Sequence, residues 1–249
     1  MPMILVTNDD GIQSEGIILL YEKLQPLGDV YVVAPENEQS AVGRALTLHR
    51  PLKPHVIAKN MYSINGTPTD CVAIAVNKIL PQRPHLVVSG INRGGNLGDD
   101  IAYSGTVSAA MEGTLLGIQS LAISLLGSEP YDFAPAASFA LKLSHIVLTY
   151  GLPTDTLLNV NVPNKEKIKG VRLTKQGRRV YDNSIQEMFD PWGRKHYWIG
   201  GGTPIWEPST DTDFDATGEG YISITPIHLN MTNFDALTKL RSSWHFNNF

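Results

Sequence analysis

The chain has 249 residues, of which 42% are hydrophobic and 18% charged, with 22 Gly, 16 Pro and one Cys. This excludes a disordered chain, which lacks that much apolar material, and a collagen-like repeat, which needs far more Gly and Pro. With 20 Lys plus Arg against 24 Asp plus Glu the net charge is −4, so the chain lacks the broad positive field with which duplex nucleic-acid binders displace counterions. The single Cys71 offers neither an internal disulfide nor a thiolate metal site, and the expected compartment is the cytoplasm.

The apolar run Met3-Ile4-Leu5-Val6 is cut off by Thr7-Asn8-Asp9-Asp10. It lacks the basic start and the length of a signal peptide, and no later stretch approaches the roughly 20 apolar residues of a membrane span. Neither export nor insertion is expected. Ile4 to Val6 reads as a buried strand. Ser14 to Leu27 reads as a helix with a stripe of Ile17, Leu20, Tyr21 and Leu24, stopped by Pro26 and Gly28, and Val30 to Val33 as a second strand. Together they form a βαβ unit. Glu36 to Gly43 is polar, without period, and reads as a loop. Val56-Ile57 and Tyr62-Ser63-Ile64 are placed to pair as a hairpin.

Thr67-Pro68-Thr69-Asp70 is a helix start, with a capping hydroxyl, Pro in the first turn and an acid after it; the helix is expected to reach Ile79 or Leu80. Leu86-Val87-Val88 is a third strand, followed by a Gly-rich segment from Gly90 to Gly105. Thr106 to Leu116 reads as a helix, Leu121 to Ser124 as a strand, and Pro135 to Leu148 as a helix. Alternating strands and helices point to an α/β fold, a mostly parallel sheet with helices on both faces. From about residue 150 short strands (Leu157 to Val160, Val171 to Leu173, Tyr221 to Ile224) stand among polar and aromatic segments without helical period, consistent with an appended lobe or an oligomerisation arm.

Two features carry chemistry. Asp9 and Asp10 follow a predicted central strand, where open α/β sheets bind ligands, and adjacent carboxylates repel unless a cation or proton lies between them. A plain Asp-Asp-Gly turn is the alternative. The segment Gly90-Ile91-Asn92-Arg93-Gly94-Gly95-Asn96-Leu97-Gly98-Asp99-Asp100 also follows a strand and lets backbone amides converge on an anion. Ser104-Gly105-Thr106 then opens a helix whose N-terminus favours phosphate; a capped helix after a flexible loop is the competing reading. There is no Cys pair and no His-Glu-x-x-His, and His49, His55, His85, His145, His196, His228 and His245 show no close ligand spacing. An all-oxygen site for Mg²⁺, Mn²⁺ or Ca²⁺ is therefore expected rather than zinc. The P-loop, the G-x-G-x-x-G fingerprint after the first strand and the G-x-S-x-G elbow are all missing. An aspartyl phosphatase needs a second Asp two positions after the first, and here that position is Gly11.

Several long motifs, in one order, resemble the SurE family of survival-protein nucleotidases: Thr7-Asn8-Asp9-Asp10-Gly11, Val33-Ala34-Pro35, Gly66-Thr67-Pro68-Thr69-Asp70-Cys71, Ser89-Gly90-Ile91-Asn92 with Gly94, Asn96-Leu97-Gly98 and Asp100, and Tyr103-Ser104-Gly105-Thr106-Val107 with Ala109-Ala110 and Glu112-Gly113. The likeness is weaker through Tyr197-Trp198-Ile199-Gly200 and strong again at Thr212-Asp213-Phe214 and Gly220 to Pro226. It implies a Rossmann-like core over 1–150, and over 151–249 strands that complete the core and form an exchanged oligomerisation arm. It also implies a 5′-nucleotidase that acts on nucleoside monophosphates, depends on one divalent cation, Mg²⁺ or Mn²⁺, and assembles as a dimer or tetramer. By position, the metal ligands would be Asp9, Asp10, Ser40 and Asn92, with Asn96, Ser104, Gly105 and Thr106 on the phosphate. The family usually has Gly where this chain has Ala41, which would strain the loop if that residue takes positive φ.

The reaction expected is metal-assisted hydrolysis of a phosphate monoester by water, with Asp9 or Asp10 as proton acceptor and direct carboxylate attack as the other route. A non-catalytic nucleotide sensor and a polyphosphate hydrolase are the alternatives. No nucleic-acid duplex and no membrane is an expected partner.

Overall fold

The computed structural model describes residues 1–180, 185–199 and 205–244; Gly200 and His245, named above, lie outside the described residues. The strands are β1 (Met3–Thr7), β2 (Asp29–Pro35), β3 (Pro54–Ala58), β4 (Met61–Ile64), β5 (Leu86–Arg93), β6 (Gln119–Leu126), β7 (Thr156–Pro163), β8 (Val171–Leu173), β9 (Arg179–Val180), β10 (Ile185–Phe189), β11 (Lys195–Ile199), β12 (Ile205–Trp206) and β13 (Ile222–His228). The helices are α1 (Glu15–Leu24), α2 (Pro68–Ile74), α3 (Gly105–Leu115), α4 (Ala134–Tyr150), α5 (Asp213–Gly218) and α6 (Phe234–Ser243).

One nine-stranded sheet organises the molecule, in the order β3-β4-β2-β1-β5-β6-β7-β13-β8. The six strands from β4 to β7 run parallel; β3 closes one edge antiparallel, and β13 returns antiparallel to β7 with β8 parallel beside it. The parallel strands are buried on both faces, which is why β1 reads as an unbroken apolar run rather than an alternation. Ile4 and Val6 pack with Ile17, Leu20 and Leu24 of α1 and with the alanines of α4, whereas Leu5 packs on the other face with Cys71, Val72 and Ala75. Ile17, Leu20 and Leu24 are each fully buried, and each contributes roughly 1.5–3 kcal/mol of hydrophobic stabilisation.

The chain runs outward from β1 through β2 to β4 and then returns to β5 on the other side of β1. The sheet therefore reverses its winding between β1 and β5, and such a switch point opens a crevice beyond the carboxyl ends of the two strands.

The predicted helix start at Thr67 is present as a capping box, with Thr67 Oγ1 accepting from Asp70 N and the Asp70 carboxylate accepting from Thr67 N. That α-helix ends at Ile74 and continues to Ile79 as a π-helical turn. The Gly-rich segment is not all loop. Its first residues, Gly90 to Arg93, extend β5, because Asn92 and Arg93 pair with Ser124 and Leu125 of β6 beyond a bulge. At Gly90 φ is +143° and a Cβ would stand 2.4 Å from the Ile123 carbonyl oxygen, so only glycine lets the strand pass there. A 3₁₀ turn, Gly98–Ala102, follows. Helices α5 and α6 and the β10–β11 hairpin add elements that periodicity did not reveal.

Candidate active site

A cavity of about 360 Å³ fills the crevice at the ends of β1 and β5, lined by Asp9, Asp10, Glu38, Ser40, Ala41, Asn92, Arg93, Gly95, Asn96, Asp100, Tyr103 and Ser104. It gathers chain from four places. The turn after β1 brings the aspartates, the loop after β2 brings Glu38 to Ala41, β5 and its extension bring Asn92 to Asp100, and the start of α3 brings Ser104.

Asp9 is only 5% exposed. Its carboxylate accepts the backbone N–H of Thr106 at 3.1 Å and also the Thr106 hydroxyl. Burial pushes its pKa up, and the Thr106 hydrogen bonds oppose that rise. Gly105 makes the approach of α3 possible, since a Cβ there would stand 2.8 Å from Asp9 Cβ and 2.9 Å from Oδ2. Asp10 is half-buried, and its Oδ2 accepts the backbone N–H of Arg93 at 3.2 Å. Burial first, and the neighbouring Asp9 second, raise its pKa to about 6. Among the described residues the two crowded acids are held by backbone N–H groups and the Thr106 hydroxyl, with Arg93 supplying the charge that opposes the rise at Asp10, and a cation between them would relieve their repulsion.

The other two predicted ligands share the cavity with the aspartates. Asn92 donates its amide hydrogens to the carbonyls of Arg93 and Gly94, at 3.3 and 2.9 Å, which leaves its carbonyl oxygen for a cation. Ser40 donates its hydroxyl to Glu38, so its lone pairs remain available as acceptors. Ala41 takes φ 57°, the left-handed conformation that costs an alanine roughly 1–2 kcal/mol. The strained loop is tied down at Gln39, whose N–H bonds the Asp9 carbonyl at 2.8 Å, and at Gly43, whose N–H bonds the Tyr103 carbonyl at 3.1 Å. Among the described residues no group of three or more His, Cys, Asp and Glu side chains is arranged to hold a metal. A cation here would rest on two carboxylates, a hydroxyl and an amide carbonyl, a donor set that suits hard Mg²⁺ or Mn²⁺.

The four predicted phosphate residues divide. Asn96 and Ser104 line the cavity, whereas Gly105 and Thr106 stand behind Asp9. Ser104 caps α3 by accepting from Val107 N at 3.1 Å. Asn96 is buried in a polar network: its N–H donates to Asn161 Oδ1, its Nδ2 to Ser124 Oγ, and its carbonyl accepts from Asn159 and Asn161.

Sequence reasoning did not assign the residues that brace this loop from the far end of the chain. Asp213, fully buried at the start of α5, accepts from the backbone N–H groups of Gly98 at 2.8 Å, Gly177 at 2.9 Å and Phe214 at 2.8 Å. Gln176 donates to the Gly98 carbonyl, Arg179 N donates to Asp99, and the Arg179 guanidinium pairs with Asp100. Their only sequence signal was the motif Thr212-Asp213-Phe214, which carried no role.

The model of the family described as Survival protein SurE matches residues 4–183. Among curated relatives, a protein of Geobacter metallireducens named 5′-nucleotidase SurE is 52% identical over 246 residues, covering 98% of this chain and 97% of its own length. A protein of the same name from Geobacter sulfurreducens is 51% identical over 96% of this chain and 92% of its own. The crystal structure of the SurE protein from Aquifex aeolicus superposes with a TM-score of 0.86 at 43% identity, covering 97% of this chain and 99% of that one. With matches of this extent on sequence and on fold, the chain belongs to the SurE family.

Proposed function

We propose that this protein is a 5′-nucleotidase that hydrolyses nucleoside 5′-monophosphates to nucleoside and phosphate with the help of a divalent cation. The observation that carries this reading is the acid pair at the β1/β5 switch point, in a chain about half of whose residues are shared with relatives named for that activity. A cation held by Asp9, Asp10, Ser40 and Asn92 would supply Lewis-acid polarisation of the phosphoryl group and a water of lowered pKa. Asp9 is oriented by Thr106 through both carboxylate oxygens and has a fixed ligand geometry. Asp10 receives a backbone donor on Oδ2 alone, so its Oδ1 is left without a backbone donor and is placed to accept a proton. Asn96 and Ser104 present polar groups to the phosphate. Gly105 and Thr106 serve the phosphate indirectly, by holding Asp9 where it is.

Phosphate release from AMP and GMP is expected with Mg²⁺ or Mn²⁺ present and is expected to stop when a chelator is added. Binding of AMP without release would instead identify a sensor, and faster release from polyphosphate than from AMP would reassign the substrate.

The same reading takes the C-terminal segment as an assembly arm of a cytoplasmic dimer or tetramer. The β10–β11 hairpin leaves Phe189, Tyr197 and Ile199 of one face and Trp198 of the other between 61% and 88% exposed, large apolar side chains that an assembly contact would cover. Light scattering at micromolar concentration should give at least twice the chain mass; a monomer would remove the arm. Among the described residues no helix is long and apolar enough to cross a membrane.

A further inference from the structure

The cavity that holds Asp9 and Asp10 is polar on almost every side, and among the described residues its one aromatic wall is Tyr103. That ring is 61% exposed, and within the described residues its hydroxyl makes no hydrogen bond. Its backbone, by contrast, is fixed: Tyr103 N donates to the Asp100 carbonyl at 3.0 Å, its own carbonyl accepts from Gly43 N at 3.1 Å, and the next residue caps α3. A rigid stem thus holds a free π-face at the rim of the acid-lined cavity.

A second aromatic site lies nearby, a cavity of about 520 Å³ lined by Glu15, Arg93, Glu129, Pro130, Tyr131 and Phe133. Its aromatic groups are already engaged. Tyr131 stacks on Phe133 with ring centroids 5.9 Å apart, packs against the core and donates its hydroxyl to the Gly127 carbonyl at 3.2 Å.

We propose that Tyr103 is the platform on which the nucleobase of the substrate stacks while the phosphate reaches down to the acid pair. The inference rests on the nucleotidase reading and adds the group that distinguishes a nucleotide from a bare sugar phosphate. Base-on-aromatic stacking contributes about 1–3 kcal/mol, which corresponds to a change in apparent affinity of about fivefold or more. It depends on the ring and not on the hydroxyl.

The test compares kcat/KM for AMP with kcat/KM for ribose 5-phosphate, which keeps the sugar and phosphate and lacks the base. In Tyr103→Ala the ratio of AMP to ribose 5-phosphate is expected to fall about fivefold or more, through KM for AMP. In Tyr103→Phe it should stay within about twofold of the wild type, and in Tyr131→Ala it should be unaltered. An unchanged ratio in Tyr103→Ala, an equal loss on both esters, or a fall in Tyr131→Ala instead would overturn the platform. Wild-type protein that hydrolyses both esters equally well would also overturn it while leaving the phosphatase site intact; wild-type protein that hydrolyses neither would remove the nucleotidase reading itself.

Discussion

Asp10→Asn is expected to lower cation-dependent phosphate release from AMP by at least about a hundredfold, the scale on which disturbed metal ligation acts, while leaving the fold intact or more stable. Asparagine preserves the shape of the side chain and can still accept the Arg93 N–H on its carbonyl oxygen, but it removes a charge from a crowded pair. The pH dependence gives an independent check. The Asp10 carboxyl has its pKa raised from 3.8 to about 6 by burial and then by Asp9. Between those values the folded chain keeps the proton and the unfolded chain has released it, so the stability of the metal-free wild type falls as pH rises through that window. Asparagine does not titrate. The stability advantage of the variant should therefore grow from about pH 4 to about pH 6 and then level off, as read from urea unfolding. Added Mn²⁺ should raise the stability of the wild type by mass action and that of the variant far less. Near-normal turnover in Asp10→Asn would sink the acid pair as the catalytic centre.

The second large effect is expected at a residue that does not line the cavity. Asp213→Ala should cost on the order of 3 kcal/mol of stability, because it strands two buried N–H groups, those of Gly98 and Gly177, and the part-buried one of Phe214, and each buried donor left without a partner costs about 1–3 kcal/mol. The Asp213 pKa is raised because burial outweighs those hydrogen bonds. Its carboxylate also ties the 3₁₀ turn after Asn96 to the segment beneath it, where Trp206 stacks on Phe214 with centroids 4.3 Å apart and a Cβ on Gly98 would meet Trp206 at 2.7 Å. Loosening that contact removes one tie on the turn between Asn96 and Asp100 of the cavity wall, and kcat for AMP should fall about tenfold or more even at temperatures where the variant remains folded. Unfolding in urea and turnover on the same preparation would decide the matter. A loss below about 1 kcal/mol with normal kcat would mean that the clasp is ornamental.

Much of the core was legible because local and tertiary signals agree there. Ile4 to Val6, the α1 stripe and the Thr67 capping box each specify by sequence the element they form. The position of the aspartates at the cavity was legible for a different reason, since residues directly after a central strand of an open α/β sheet stand at its carboxyl end, although a plain turn would have fitted the same pattern. The division of the phosphate residues was not legible. Thr106 faces Asp9 because α3 packs against the end of β1, and no local pattern encodes that approach. Gly90 to Arg93 looked like loop because glycine is a poor strand former, and it was pairing with β6 that overrode the preference. Helix α6 buries none of its residues, and its few large apolar positions, Phe234, Leu237 and Leu240, stand among polar ones outside the core, so a search for core-facing stripes passes over it. Ala41 is the converse case: a departure from the family pattern noticed in sequence corresponds to a measurable backbone angle.

The contacts that assemble the site also carry an ordering in time. Thr106 meets Asp9 across 97 residues, Arg93 meets Asp10 across 83, and Gly98 meets Asp213 across 115. No local segment contains both the acid pair and the groups that hold it, so Asp9 and Asp10 are fixed only when contacts of high sequence separation close. Closing such loops costs the most chain entropy, so the acid pair is expected to reach its final geometry among the later steps of folding.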